Sequence, residues 1–157
     1  MGAGGRQSMG NAENHTMLTA AEYWAGKGFP VFPLRKHLKT PATVDGFKSA
    51  TTDPDKLKGW FGSGTPHNIG LKCGNGLVVI DIDVKAGIDG KATLQALELQ
   101  YGQLPPTLTV STPSGGLHLY YRYPANVPIS SKAGKLGDTK TEGLDVRADG
   151  GYVVVPP

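Results

Sequence analysis

A chain of 157 residues is long enough for one domain with its own core and too short for two ample ones. Twenty-three glycines and twelve prolines exclude a bundle of long helices and require short elements joined by tight turns. Sixteen Lys and Arg against thirteen Asp and Glu leave a net charge of +3, a mild basic excess that suits a phosphate-bearing partner, and the single cysteine, Cys73, excludes a disulfide framework or a zinc site of several thiolates.

In chain order, residues 1–16 carry Gly, Asn, Ser and Gln without a period and read as a disordered tail or cloning remnant, leaving residues 17–157 as the folded domain. Leu18 to Lys27 reads as a short helix stopped by Gly26, Gly28 and Pro30, and Val31 to Leu34 as a strand. Arg35 to Thr51 lacks periodicity and is expected as an extended basic loop. Asp53-Pro54 then supplies a cap and a first helical proline for a helix with Leu57, Trp60 and Phe61 on its apolar face. Asn68 to Cys73 and Leu77 to Val84 flank Gly74-Asn75-Gly76, which predicts a hairpin. Leu94, Leu97 and Tyr101 mark an amphipathic helix from Gly90 to Tyr101, ended by Gly102. Thr107 to Thr112 and Leu117 to Tyr123 flank Pro113-Ser114-Gly115-Gly116 as a second hairpin, and Leu144 to Arg147 and Tyr152 to Val155 are the last strands. The class is α+β: a mixed, largely antiparallel sheet with flanking helices. No apolar run approaches the roughly twenty residues of a membrane span, so a cytoplasmic protein without a membrane partner is expected.

The run LVVIDIDV holds the first chemical signal. Side chains alternate along a strand, so Val78, Ile80, Ile82 and Val84 share one face, expected to be core, while Val79, Asp81 and Asp83 share the other. Two carboxylates about 7 Å apart on one strand face repel and are costly to desolvate. A divalent cation removes that conflict, and oxygen-only ligands suit Mg²⁺ or Mn²⁺. A lone D-x-D also fits an outer strand whose aspartates are simply solvated. Two further strands repeat the pattern: His118 alternates with Leu117 and Leu119, and Asp145 and Arg147 alternate with Leu144 and Val146. A solvated face usually scatters Lys, Glu and Thr, whereas this set is aspartate, histidine and arginine.

Three carboxylates on adjacent strands can hold two metal ions for phosphoryl transfer, and Asp81, Asp83 and Asp145 are the candidates. Ser114, Gly115 and Gly116 form a turn whose amides and hydroxyl could cradle phosphate, with His118 and Arg147 completing the clamp. Walker A and G-x-S-x-G motifs are absent from the sequence.

With these residues assembled, the sequence resembles the primase-polymerase (Prim-Pol) domain, the bifunctional DNA primase/polymerase N-terminal type of the archaeo-eukaryotic primase superfamily, found in phage and plasmid replication proteins. The blocks that carry the likeness are GFPVFPL from Gly28, Lys39 to Pro41, ATTDPDKLKGWF from Ala50, NIGLKCG, LVVIDIDV, TPSGGLH from Thr112, and LDVRADGGYVVVPP. The resemblance implies an RRM-like catalytic core and a template-dependent nucleotidyltransferase, a DNA primase and polymerase acting by a two-metal mechanism. Asp81, Asp83 and Asp145 would be the catalytic residues and the ligands of Mg²⁺ or Mn²⁺. His118, with Ser114, Gly115, Gly116 and Arg147, would bind the nucleotide; Arg35, Lys36 and Lys39 would contact the template. Single-stranded DNA template and primer, dNTP or NTP, and a helicase in the full-length protein are the implied partners. Relatives run on past the position of Pro157, so a domain truncated at its C-terminus is expected. Two rival functions fit the same residues: a non-catalytic single-stranded DNA or origin-binding module using Tyr120 and Trp60, and a metal-dependent nuclease.

Overall fold

The computed structural model describes residues 7–157, with side chains from His15 onward. In chain order the elements are α1 (Gln7–Gly26), β1 (Val31–Arg35), a 3₁₀ turn (Gly46–Ser49), α2 (Pro54–Phe61), β2 (His67–Lys72), β3 (Leu77–Ile82), β4 (Val84–Lys85), β5 (Ile88–Asp89), α3 (Gly90–Tyr101), β6 (Leu108–Ser111), β7 (Leu117–Arg122), β8 (Lys135–Leu136), β9 (Thr139–Lys140), β10 (Leu144–Arg147) and β11 (Tyr152–Val155). The expected α+β class is observed: helices beside sheets whose named strands all pair antiparallel. They group into two compact units. One takes the described residues up to Lys72 together with Tyr152–Pro157; the other is Cys73–Gly151.

In the first unit, β2 is the central strand of a three-stranded sheet ordered β1-β2-β11. Val31, Phe32, Leu34, Ile69, Leu71, Val153 and Val155 are buried there with Trp24, Leu57 and Phe61 of the helices. Each such side chain contributes about 1.5–3 kcal/mol on leaving water. α2 begins as its sequence dictates: the Asp53 carboxylate accepts from the Asp55 amide at 3.0 Å, and Pro54 sits where no donor is needed. Leu57 and Phe61 form its buried stripe, with Trp60 half-buried beside them.

α1 starts at Gln7 rather than Leu18, because no proline interrupts the stretch read as tail and its Gln, Ala, Glu and Met residues sustain a helix. The first six residues of that supposed tail lie outside the described residues. The 35–51 segment is less extended than expected: it closes on β1 through bridges at Pro41 and Thr51 and contains the 3₁₀ turn.

The second unit is built on a four-stranded sheet ordered β10-β3-β7-β6, with α3 against β3 and β10. α3 spans its expected residues, capped by the Asp89 carboxylate on the Ala92 amide and ended at Gly102 with φ +97°. The β6–β7 hairpin forms around the Pro-Ser-Gly-Gly turn. The hairpin expected across Gly74-Asn75-Gly76 does not form. Both edges of β2 are already paired, with β1 and β11, so β3 enters the other sheet between β10 and β7. β3 also stops at Ile82, one residue short of Asp83.

The expected core face of β3 does hold buried residues, Ile82 with Leu144 and Val146 of β10, but the Asp81 face is buried as well. Leu77, Val79 and Tyr120 are buried on the Asp81 face, and on the other face Val78, Ile80, Leu117 and Leu119 are half-buried around the buried Ile82. Among the described residues no helix is long and apolar enough to cross a membrane.

Candidate active site

The register of the four-stranded sheet sets Asp145 of β10 directly opposite Asp81 of β3, and Asp81 directly opposite His118 of β7. Cross-strand partners in an antiparallel pair project to the same face, so the three side chains form one row. This row is largely removed from solvent: the side chains of Asp81 and Asp145 are 14% and 16% exposed, and His118 is 8% exposed. β3 is one of the sheet's two interior strands, so Asp81 is not a solvated aspartate of an outer strand.

The four carboxylate oxygens of the row all meet donors. His118 Nε2 lies 3.3 Å from Asp81 Oδ1, and Arg147 Nη2 lies 3.6 Å from Asp81 Oδ2. The same Nη2 donates to Asp145 Oδ2 at 2.7 Å, while the Gly134 amide donates to Asp145 Oδ1 at 2.7 Å. Arg147 reaches both aspartates because it stands one step along β10 on the same face, opposite Val79. His118 Nδ1 is buried without a hydrogen-bond partner. Such an orphan costs about 1–3 kcal/mol until something pairs with it, so it marks where a ligand's polar atom would be welcome.

Asp83 stands apart from the row. Its carboxylate is 37% exposed and pairs with Lys85 Nζ at 3.5 Å. Its backbone is tightly held: the Asp83 amide donates to Gly143 O at 2.8 Å and the Gly90 amide donates to Asp83 O at 2.9 Å. A Cβ on Gly90 would collide with the Gly143 carbonyl oxygen, and one on Gly143, whose φ is +79°, would come within 2.8 Å of Gly90 Cα. These two glycines let β10, α3 and the end of β3 meet backbone to backbone, fixing where Asp83 leaves the strand.

The Ser114 turn closes upon itself, with the Gly115 amide donating to Thr112 O at 2.9 Å and Ser114 Oγ 3.2 Å from Thr112 Oγ1. It lies at the end of β3, since a Cβ on Gly116 would collide with the Ile82 carbonyl oxygen. Cys73 and Tyr120 are also near the row but are not nucleophiles. Burial pushes the Cys73 thiol up to about 12, with Asp81 adding to the rise and Arg147 opposing it, and burial raises the Tyr120 hydroxyl well above its ordinary range. Arg35, Lys36 and Lys39 are exposed and belong to the first unit. Sequence reasoning did not single out Gly134, Gly90, Gly143 or Lys85; only the glycine-rich composition of the 132–143 loop hinted at backbone work there.

The sequence model of the family described as bifunctional DNA primase/polymerase, N-terminal (Prim-Pol), matches residues 20–157. The chain belongs to the Prim-Pol family. No curated protein matches it. Membership makes this a DNA primase/polymerase-type nucleotidyltransferase domain, a kind that binds DNA and nucleotides and is generally metal-dependent.

The residues of this Prim-Pol domain fit a hard divalent cation in donor chemistry, because Asp81 and Asp145 offer facing carboxylate oxygens. Among the described residues no group of three or more His, Cys, Asp or Glu is gathered as a metal site: Asp83 is turned to Lys85, and a guanidinium nitrogen spans the other two carboxylates.

Proposed function

We propose that this Prim-Pol domain is a template-directed DNA primase and polymerase, with Asp81, Asp83 and Asp145 holding two Mg²⁺ or Mn²⁺ ions. The observation that carries this reading is the buried row Asp145–Asp81–His118, which confronts a pair of oxygen ligands with an imidazole whose second nitrogen has no partner. When bound, the divalent ions supply Lewis acidity and countercharge for the phosphoryl oxygens. The protein's own groups do the rest. Asp81 and Asp145 present their oxygens from neighbouring strands, and Asp83, one residue past the end of β3, would join them by leaving Lys85.

His118 holds its ring by Nε2 against Asp81 and would turn Nδ1 to a triphosphate oxygen. Arg147, Ser114, Gly115 and Gly116 flank the same phosphates. In the first unit, Arg35, Lys36 and Lys39 provide exposed cations for template phosphates, and binding through them is salt-dependent. The setting we propose is replication of phage or plasmid DNA in the cytoplasm, alongside a helicase.

Incubation with a single-stranded template, with and without an annealed primer, labelled dNTP or NTP and Mn²⁺ tests the reading. Wild type is expected to lengthen the strand and release pyrophosphate. Asp81→Ala and Asp145→Ala should lower incorporation by about 10³-fold or more with unchanged circular dichroism. Undiminished extension by both variants would sink the assignment; metal-dependent shortening of the strand would make the domain a nuclease, and binding without either reaction a non-catalytic module.

A further inference from the structure

Arg147 sits in an unusual place for a phosphate ligand. Of the four carboxylate oxygens in the row, the outer two are met by His118 Nε2 and the Gly134 amide, and the inner two by one and the same atom, Arg147 Nη2. A cation that bridges one oxygen of each of two carboxylates does what a divalent metal would do between them. The need for it is physical: two carboxylates, each less than a fifth exposed and directly opposed on neighbouring strands, repel and lose hydration together. In the first unit, the interior strand β2 needs no such device, because its buried positions are apolar.

Arg147 is also the most exposed of the three side chains. Its side chain is 35% exposed, against 14% and 16% for the aspartates, so the head group has a route to water on a long flexible stem.

We propose that Arg147 is the resident counter-ion of the Asp81–Asp145 pair, competing with divalent metal for the same two oxygens and giving way when metal binds. This rests on the reading that Asp81 and Asp145 are metal ligands. The guanidinium keeps the sheet intact while the site holds no metal, and lowers the affinity for metal alone. Metal binding would exchange one cation for another at the carboxylate pair.

The test measures Mn²⁺ binding to the whole chain, without nucleotide or DNA, by the electron paramagnetic resonance signal of free Mn²⁺, together with thermal melting in EDTA and in Mn²⁺. Arg147→Gln should bind Mn²⁺ at least about tenfold more tightly than wild type, the scale on which a neighbouring charge shifts a carboxylate's affinity for a proton. It should melt lower than wild type in EDTA and regain the difference in Mn²⁺. Arg147→Lys, which keeps the competing charge, should bind Mn²⁺ much as wild type does. Asp145→Asn should bind poorly in either background.

If Arg147→Gln binds no more tightly while Asp145→Asn loses binding, the counter-ion proposal is wrong and the metal ligands stand. If Asp81→Asn and Asp145→Asn both bind Mn²⁺ like wild type, the metal reading falls and takes the proposal with it. Should Arg147→Gln unfold in EDTA, refolding on addition of Mn²⁺ supports the exchange, and failure to refold overturns it.

Discussion

The two sheets offer a controlled comparison, because β2 and β3 are both interior strands with partners on each edge. In β2 the protected positions are Ile69, Gly70 and Leu71, and nothing charged enters. In β3 the apolar sequence Leu77, Val79 continues on the same face into Asp81, a carboxylate where the pattern of β2 would place a hydrocarbon. The second sheet tolerates it because His118 and Arg147 arrive from the flanking strands in register. One sheet shows what folding alone requires; the other departs from that requirement at one row, the row of the candidate site.

Exchanging the two patterns gives the largest expected effect. Ile69→Asp places an unpartnered charge among β1 and β11 and should cost at least about 4 kcal/mol, enough to unfold a marginal domain, as circular dichroism melting would register. Asp81→Asn removes a charge from the equivalent place and should leave the melt within a few degrees of wild type while eliminating nucleotide incorporation; equal destabilisation by both changes would erase the distinction between the strands.

A smaller effect separates two glycines of positive φ. Gly28, at φ +84° in the first unit, has open space where a Cβ would stand, so Gly28→Ala should cost only the backbone strain, about 1–2 kcal/mol. Gly143 adds the collision with Gly90 to the same strain, so Gly143→Ala should lower the melting temperature further and also reduce incorporation by displacing Asp83.

The smallest effect concerns Cys73. With its thiol pushed from 9.0 to about 12, the folded state holds the proton more tightly than the unfolded chain. Its stabilising contribution is therefore complete below pH 9 and lost as pH rises toward 12. Cys73→Ala should flatten part of that alkaline decline, and the native thiol should be silent to disulfide reagents at pH 8.

Much of the fold could be read from local chemistry. Gly90 to Tyr101, Leu144 to Arg147 and Tyr152 to Val155 end where the caps and breakers say. Partner choice was harder to read: a turn such as Gly74-Asn75-Gly76 reverses the chain equally well whether or not its flanks pair, and only the filled edges of β2 decide. The site was legible in kind, since Asp81, His118, Asp145 and Arg147 do share a face. How burial divides between the faces was not, because both faces of β3 carry buried aliphatics and alternation alone cannot rank them. Gly134 escaped notice because its contribution is a backbone amide, which every residue but proline possesses.

The row Asp145–Asp81–His118 draws its members from positions 81, 118 and 145, joined by no local element. Alternation makes the site a report on alignment: a slip of one residue between β3 and either neighbour would turn Asp145 or His118 to the opposite side and bring an aliphatic in its place. A misaligned sheet therefore cannot present the three side chains together. Through its long-range pairings, the row is assembled only where β3 has both neighbours in register.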